Sequence, residues 1–117
     1  MSNVFTIESL NDELNRQYAP FTFQAGREKF VLRQVLRLPE TERDLVFTQL
    51  QELDKAQDDH DVKALEAVVW TVLKTVVDGG KGDRLKDVLN SDLASAMVLV
   101  NKWMESTQVG EAEDSPN

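Results

Sequence analysis

The chain contains no cysteine, a single histidine and no apolar run longer than a few residues. Without cysteine, neither disulfides nor thiolate chemistry contributes, which suits a reducing compartment. The longest apolar stretches, Val68-Val69-Trp70 and Ala96-Met97-Val98-Leu99-Val100, fall far short of the ~20 residues that span a bilayer. The N-terminal MSNVFTIESLNDELN lacks a basic start and an apolar core, so no signal peptide is expected. Positive charge is also scarce. Thirteen Lys and Arg face 21 Asp and Glu, a net charge of -8. Nucleic-acid binding needs a basic surface to displace counterions from phosphate, and an anionic membrane surface needs the same. The expectation is a soluble cytoplasmic protein that binds neither nucleic acid nor membrane.

With 117 residues, 41% apolar and 29% charged, the chain is long enough for one domain with its own hydrophobic core. Residues 6–17 read as a short amphipathic helix, with Thr6 or Ser9 as its cap and Ile7, Leu10 and Leu14 on one face. Pro20 ends it and pushes Ala19 towards an extended conformation. Phe21-Thr22-Phe23-Gln24 alternates with strand period, Ala25 to Glu28 supplies a turn, and Lys29 to Val35 offers a second strand. A hairpin over about 21–35 is marginal alone, so it must lie on helices or add strands from a partner. Pro39, Glu40 and Glu42 start the next helix, with Leu45, Val46, Leu50 and Leu53 on its face and an end near Asp54.

Lys55 to Asp61 reads as a charged connector. Asp61 caps a further helix whose stripe of Val62, Leu65, Val69, Val72, Leu73 and Val76 is widened by Val68 and Trp70. A helix this apolar is buried on more than one side. Gly79, Gly80 and Gly82 permit a tight reversal. A short helix follows over Arg84 to Leu89. Ser91 or Asp92 then caps a last helix to about Thr107, with Leu93, Met97, Val100 and Met104 as its stripe and Val98 and Leu99 pointing elsewhere. The expected architecture is mainly α: one compact domain over 1–107, with four or five helices and a small N-terminal β-hairpin. Residues 108–117, with Glu111, Glu113 and Asp114, read as a disordered acidic tail.

No catalytic motif emerges. Asp58-Asp59-His60-Asp61 offers metal-ligand types, but consecutive residues point apart, and the i, i+4 spacing that converges on one ion is absent. An EF-hand loop from Asp54 would need glycine at Asp59 and glutamate at Leu65. Gly79-Gly80-Lys81-Gly82 is not a P-loop, since Lys81 is followed by Gly82 and preceded by helical pattern. No serine or threonine stands in a nucleophile–histidine motif. No catalytic residue, cofactor or metal ligand is assigned. What remains is an apolar excess. Val68, Trp70, Val98, Leu99 and Trp103 exceed what single amphipathic stripes require, and they either fill the core or face a partner.

Three segments carry a family resemblance: Tyr18-Ala19-Pro20-Phe21-Thr22-Phe23, Val31 to Pro39 leading into a helix, and Leu99 to Trp103 with Thr107 to Ala112. In pattern and order the chain resembles the tail assembly proteins, or tail assembly chaperones, of long-tailed bacteriophages of actinobacteria. The resemblance implies a short product of a programmed ribosomal frameshift, with the shift falling near Val109-Gly110-Glu111-Ala112, and a longer form with an extra domain. It implies binding to the tape measure protein, assistance to tail-tube subunits, residence in the host cytoplasm and absence from the finished virion. On this view the 62–77 and 93–104 helices form a groove, with Val68, Trp70, Val98, Leu99 and Trp103 as partner-binding residues and homo-oligomerisation open. A structural virion component, such as a head–tail connector or tail-completion subunit, is the rival. A metal-dependent enzyme or regulator built on the His60 cluster ranks behind both.

Overall fold

Thr6 opens the first helix by accepting the Ser9 amide on its hydroxyl. That helix, α1, runs Ile7–Gln17, and Tyr18 closes it by donating its amide to the Leu14 carbonyl at 2.8 Å. The structure, a computed structural model, describes residues 3–107; the expected acidic tail over 108–117 lies outside the described residues. Pro20 leads into β1, Phe21–Ala25, which pairs antiparallel with β2, Glu28–Leu32, in the register Phe21↔Leu32 and Phe23↔Phe30. Gly26 takes φ +63° at the turn, a left-handed conformation that side chains resist. Strand pairing ends at Leu32, short of the expected Val35. Arg33 instead donates its amide to the Val76 carbonyl at 3.0 Å, and Val35–Arg37 winds into a 3-10 turn.

Helix α2 spans Glu40–Asp58, longer than expected. Lys55, Ala56 and Gln57 are good helix formers, and Ala56 is buried, so the charged stretch extends the helix instead of breaking it. Val46, Leu53 and Ala56 face inward, Phe47 and Leu50 pack against the core, and Leu45 points to solvent. The expected face was therefore rotated, because the half-buried Phe47 takes room that Leu45 was given. The connection to α3 is a short turn with His60 at φ +56°. Asp61 caps α3, Val62–Val76, by accepting the Ala64 amide at 3.1 Å.

Helix α3 is the central element and packs against α2, α4 (Gly82–Val88) and α5 (Leu93–Ser106). Its residues Val68, Val69, Trp70, Val72, Leu73 and Val76 are buried, as a helix apolar around most of its circumference requires. Val77 continues past its end to bridge Leu32, so the hairpin gains a contact on its β2 edge. Gly79 and Gly80, at φ +73° and +67°, reverse the chain, and a Cβ on Gly82 would fall 2.7 Å from the Lys74 side chain. On α5 the buried face is Ala96, Leu99, Val100 and Trp103, so Leu99 faces inward and not away as expected. The four positions follow i, i+3, i+4, i+7 spacing, and Trp103, fully buried, sets their direction.

Arg33 and Gln34 join these elements. The Arg33 guanidinium donates to the carbonyls of Thr75 and Val76 and to Glu42, while its own carbonyl accepts the Trp103 indole N–H at 2.9 Å. Gln34, also buried, donates through Nε2 to the carbonyls of Ala19 at 2.6 Å and Ser106 at 3.1 Å. The root of α1 and the end of α5 are thus pinned to one side chain. Thr107 closes α5 beside them, its hydroxyl accepting the Val35 amide.

Candidate functional site

Strand period places Phe21 and Phe23 on one face of β1 and Thr22 and Gln24 on the other. The phenylalanine face turns towards α5. Between them lies an apolar groove of about 400 Å³, lined by Phe21, Phe23, Leu89, Ser95, Val98, Leu99 and Lys102. Phe23 also packs on the buried Phe30, ring centroids 6.2 Å apart, which fixes the floor of the hairpin. Val98 is 59% exposed although it sits mid-helix. Lys102 is the groove's one charged lining residue among those described.

An ion pair and a helix cap brace the elements around the groove. Glu28 accepts from Arg84 through both carboxylate oxygens, tying β2 to α4. This hydrogen-bonded pairing holds the Glu28 carboxyl below the usual range and raises the Arg84 guanidinium. Asp92 caps α5 by accepting the Ser95 hydroxyl at 2.6 Å and its amide at 3.0 Å, and these bonds lower its pKa.

The five residues expected to meet a partner divide. Val98 and Leu99 line the groove together, Val98 from the open side and Leu99 from the core side. Val68, Trp70 and Trp103 are buried in the core cluster. Trp70 lies under the Lys86 ammonium, 5.3 Å from its ring centroid. The groove's second wall is the hairpin and not α3, because α3 is enclosed by α2, α4 and α5. Phe21, Phe23, Leu89 and Lys102 were missed in the sequence. The strand alternation at Phe21 and Phe23 was visible, but the element opposite them was not.

His60 is exposed in the α2–α3 turn. Among the described residues no three or more acidic or histidine side chains gather to hold an ion. No described helix is long and apolar enough to cross a membrane. A second cleft, lined by Asn15, Tyr18, Pro20, Val31, Arg33, Gln34, Arg37 and Asp78, marks where the end of α1 meets the body.

Residues 1–112 match the family model described as mycobacteriophage tail assembly protein. The chain belongs to that family. It is 26% identical, over 138 aligned positions spanning all of both chains, to the tail assembly protein Gp24 of Mycobacterium phage L5. No solved structure matches it. Membership in the tail assembly family gives the chain a role in phage tail assembly, and it points to a structural or chaperone part in place of catalysis.

Proposed function

We propose that this tail assembly protein is a chaperone that binds the tape measure protein, keeps it soluble and promotes tail-tube assembly around it. The observation that carries the reading is the exposed apolar groove between β1 and α5, on a chain of net charge -8. Helix-in-groove recognition reads one apolar face of a client helix at i, i+3, i+4 and i+7. Phe21, Phe23, Val98 and Leu99 offer such a surface, and the acidic remainder keeps the complex in solution. Val68, Trp70 and Trp103 then support the client site from the core. A longer frameshifted form that shares these residues carries the same groove. Both act in the host cytoplasm and are left out of the virion.

Coexpression with the cognate tape measure protein tests this. Val98→Asp places a charge on the open wall of the groove without touching the buried face of α5, and it should abolish copurification while the fold persists by circular dichroism. Full copurification of the folded variant would end the groove assignment. Mass spectrometry of purified virions separates the chaperone from a head–tail connector or tail-completion subunit, since a chaperone is missing from the particle.

A further inference from the structure

Helix α1 has a clear apolar face and buries none of its residues. Phe5 is 64% exposed, Ile7 61% and Leu10 40%, with Leu14 half-buried at the next turn. At 11 residues the helix is below the ~12–15 at which isolated helices become even marginal in water. A face of this kind needs a cover. The same chain carries an open apolar groove with no acidic lining residue, whose one charge among the described residues is Lys102. Glu8, Asp12 and Glu13 outnumber Arg16 on α1, so the helix and the groove are complementary in charge as well as polarity.

We propose that α1 of one copy docks in the β1–α5 groove of a second copy, and that the second copy returns its own α1 to the first. The hinge favours exchange over self-docking. Phe21 lines the groove, and only Tyr18, Ala19 and Pro20 separate it from α1. Pro20 holds Ala19 extended, and the Ala19 carbonyl is fixed by Gln34 Nε2 at 2.6 Å. The helix therefore ends three residues short of Phe21, and its last turn lines the cleft with Val31, Arg33 and Arg37 through Asn15 and Tyr18 instead of its own groove. The segment 108–117 is a poor substitute cover for α1. Its sequence carries three acids and one large apolar side chain, Val109, and would set like charges together. A helix of 11 residues is about 16 Å long, and one such contact buries well under the ~1,200 Å² of a stable interface. Reciprocal docking doubles the buried area, which makes a reversible, concentration-dependent dimer the expected species. The same groove serves the proposed client, so self-association and client binding compete.

Sedimentation velocity on the full chain over a concentration series tests the exchange, with Leu10→Asp in α1 and Val98→Asp in the groove. The wild type should form dimers. Each variant alone should dimerise at least about tenfold more weakly, because a charge enters an apolar contact. An equimolar mixture restores one of the two contacts, since one partner supplies an intact groove and the other an intact α1, so it should dimerise more strongly than either variant alone and more weakly than the wild type. Circular dichroism checks that each variant is folded, and Lys102→Glu replaces Val98→Asp if the latter is not. A wild type that stays monomeric, variants that dimerise as well as the wild type, or a mixture that gains nothing would each overturn the proposal. The exchange does not depend on the chaperone reading. Leu10→Asp keeps the groove intact, so under that reading it copurifies with the tape measure protein at least as well as the wild type even when its own dimer is lost.

Discussion

Helices α1 and α5 are built by the same local rules and end in opposite environments. Each is capped by a short side chain that accepts the amide three residues on, Thr6 from Ser9 and Asp92 from Ser95. Each has an apolar face at helical spacing. Yet α5 buries Ala96, Leu99, Val100 and Trp103, and α1 buries nothing. The cause lies in what adjoins them. α5 packs against α3 and meets the hairpin across the groove, whereas α1 meets the body only at its last turn, where Asn15 and Tyr18 line a cleft with Val31 and Arg33. An amphipathic pattern states that a face needs covering. Topology decides whether the cover comes from the same chain.

The largest effect expected from this contrast is at Trp103. Trp103→Ala removes a fully buried side chain and the donor to the Arg33 carbonyl. The cost should be about 3–5 kcal/mol, a large part of the ~5–15 kcal/mol that holds a domain folded. Ile7→Ala on the exposed face of α1 should stay within about 0.5 kcal/mol. Urea unfolding of both variants at a concentration where the chain is monomeric gives the two values. Similar losses would mean that α1 is part of the fold after all.

An intermediate effect is expected at the joint between the two regions. Gln34→Ala leaves the carbonyls of Ala19 and Ser106 without their shared donor, at a cost of about 1–3 kcal/mol. The loss should also be local. Hydrogen exchange should quicken at the Tyr18 and Thr107 amides, which close α1 and α5 through Leu14 and Trp103, and stay unchanged in the middle of α3. Uniform acceleration through α3 would assign Gln34 to the core at large and not to the joint.

Much of the fold was legible because it rests on local chemistry. The Asp61 cap, the Gly79-Gly80 reversal, the strand over Phe21 to Gln24 and the all-round apolar α3 each follow from a few adjacent residues. What escaped depended on distant neighbours. Leu45 and Phe47 both lie on apolar-looking arcs of α2, and only the packing partner decides which is buried. Leu99 turned inward because Trp103 one turn on is committed to the core. The candidate site was half legible for the same reason. Val98 and Leu99 stood out as excess apolar residues, but Phe21 and Phe23 belong with them only through tertiary contact. Trp70 and Trp103 looked like partner anchors because large aromatics are enriched both in cores and at interfaces, and the sequence does not separate the two.

The smallest expected effect distinguishes the two caps. Thr6 does not titrate. Asp92 does, and hydrogen bonds from the Ser95 hydroxyl and amide favour its ionised form, which lowers its pKa in the fold. The unfolded chain releases that proton at the ordinary aspartate value of about 3.9. The cap therefore contributes fully above that value, and its contribution is lost as pH falls through the lower, folded pKa. Glu28, lowered by Arg84, acts in the same direction, so a global acid melt mixes the two. The local readout is the Ser95 amide, followed by NMR from about pH 6 to about pH 2. It should lose protection on acidification while the Ser9 amide under Thr6 does not. Asp92→Asn keeps an acceptor without the charge and should flatten the Ser95 response. Equal acid sensitivity at Ser9 and Ser95 would show that the two helix starts are not distinguished by their caps, and the contrast between α1 and α5 would then rest on packing alone.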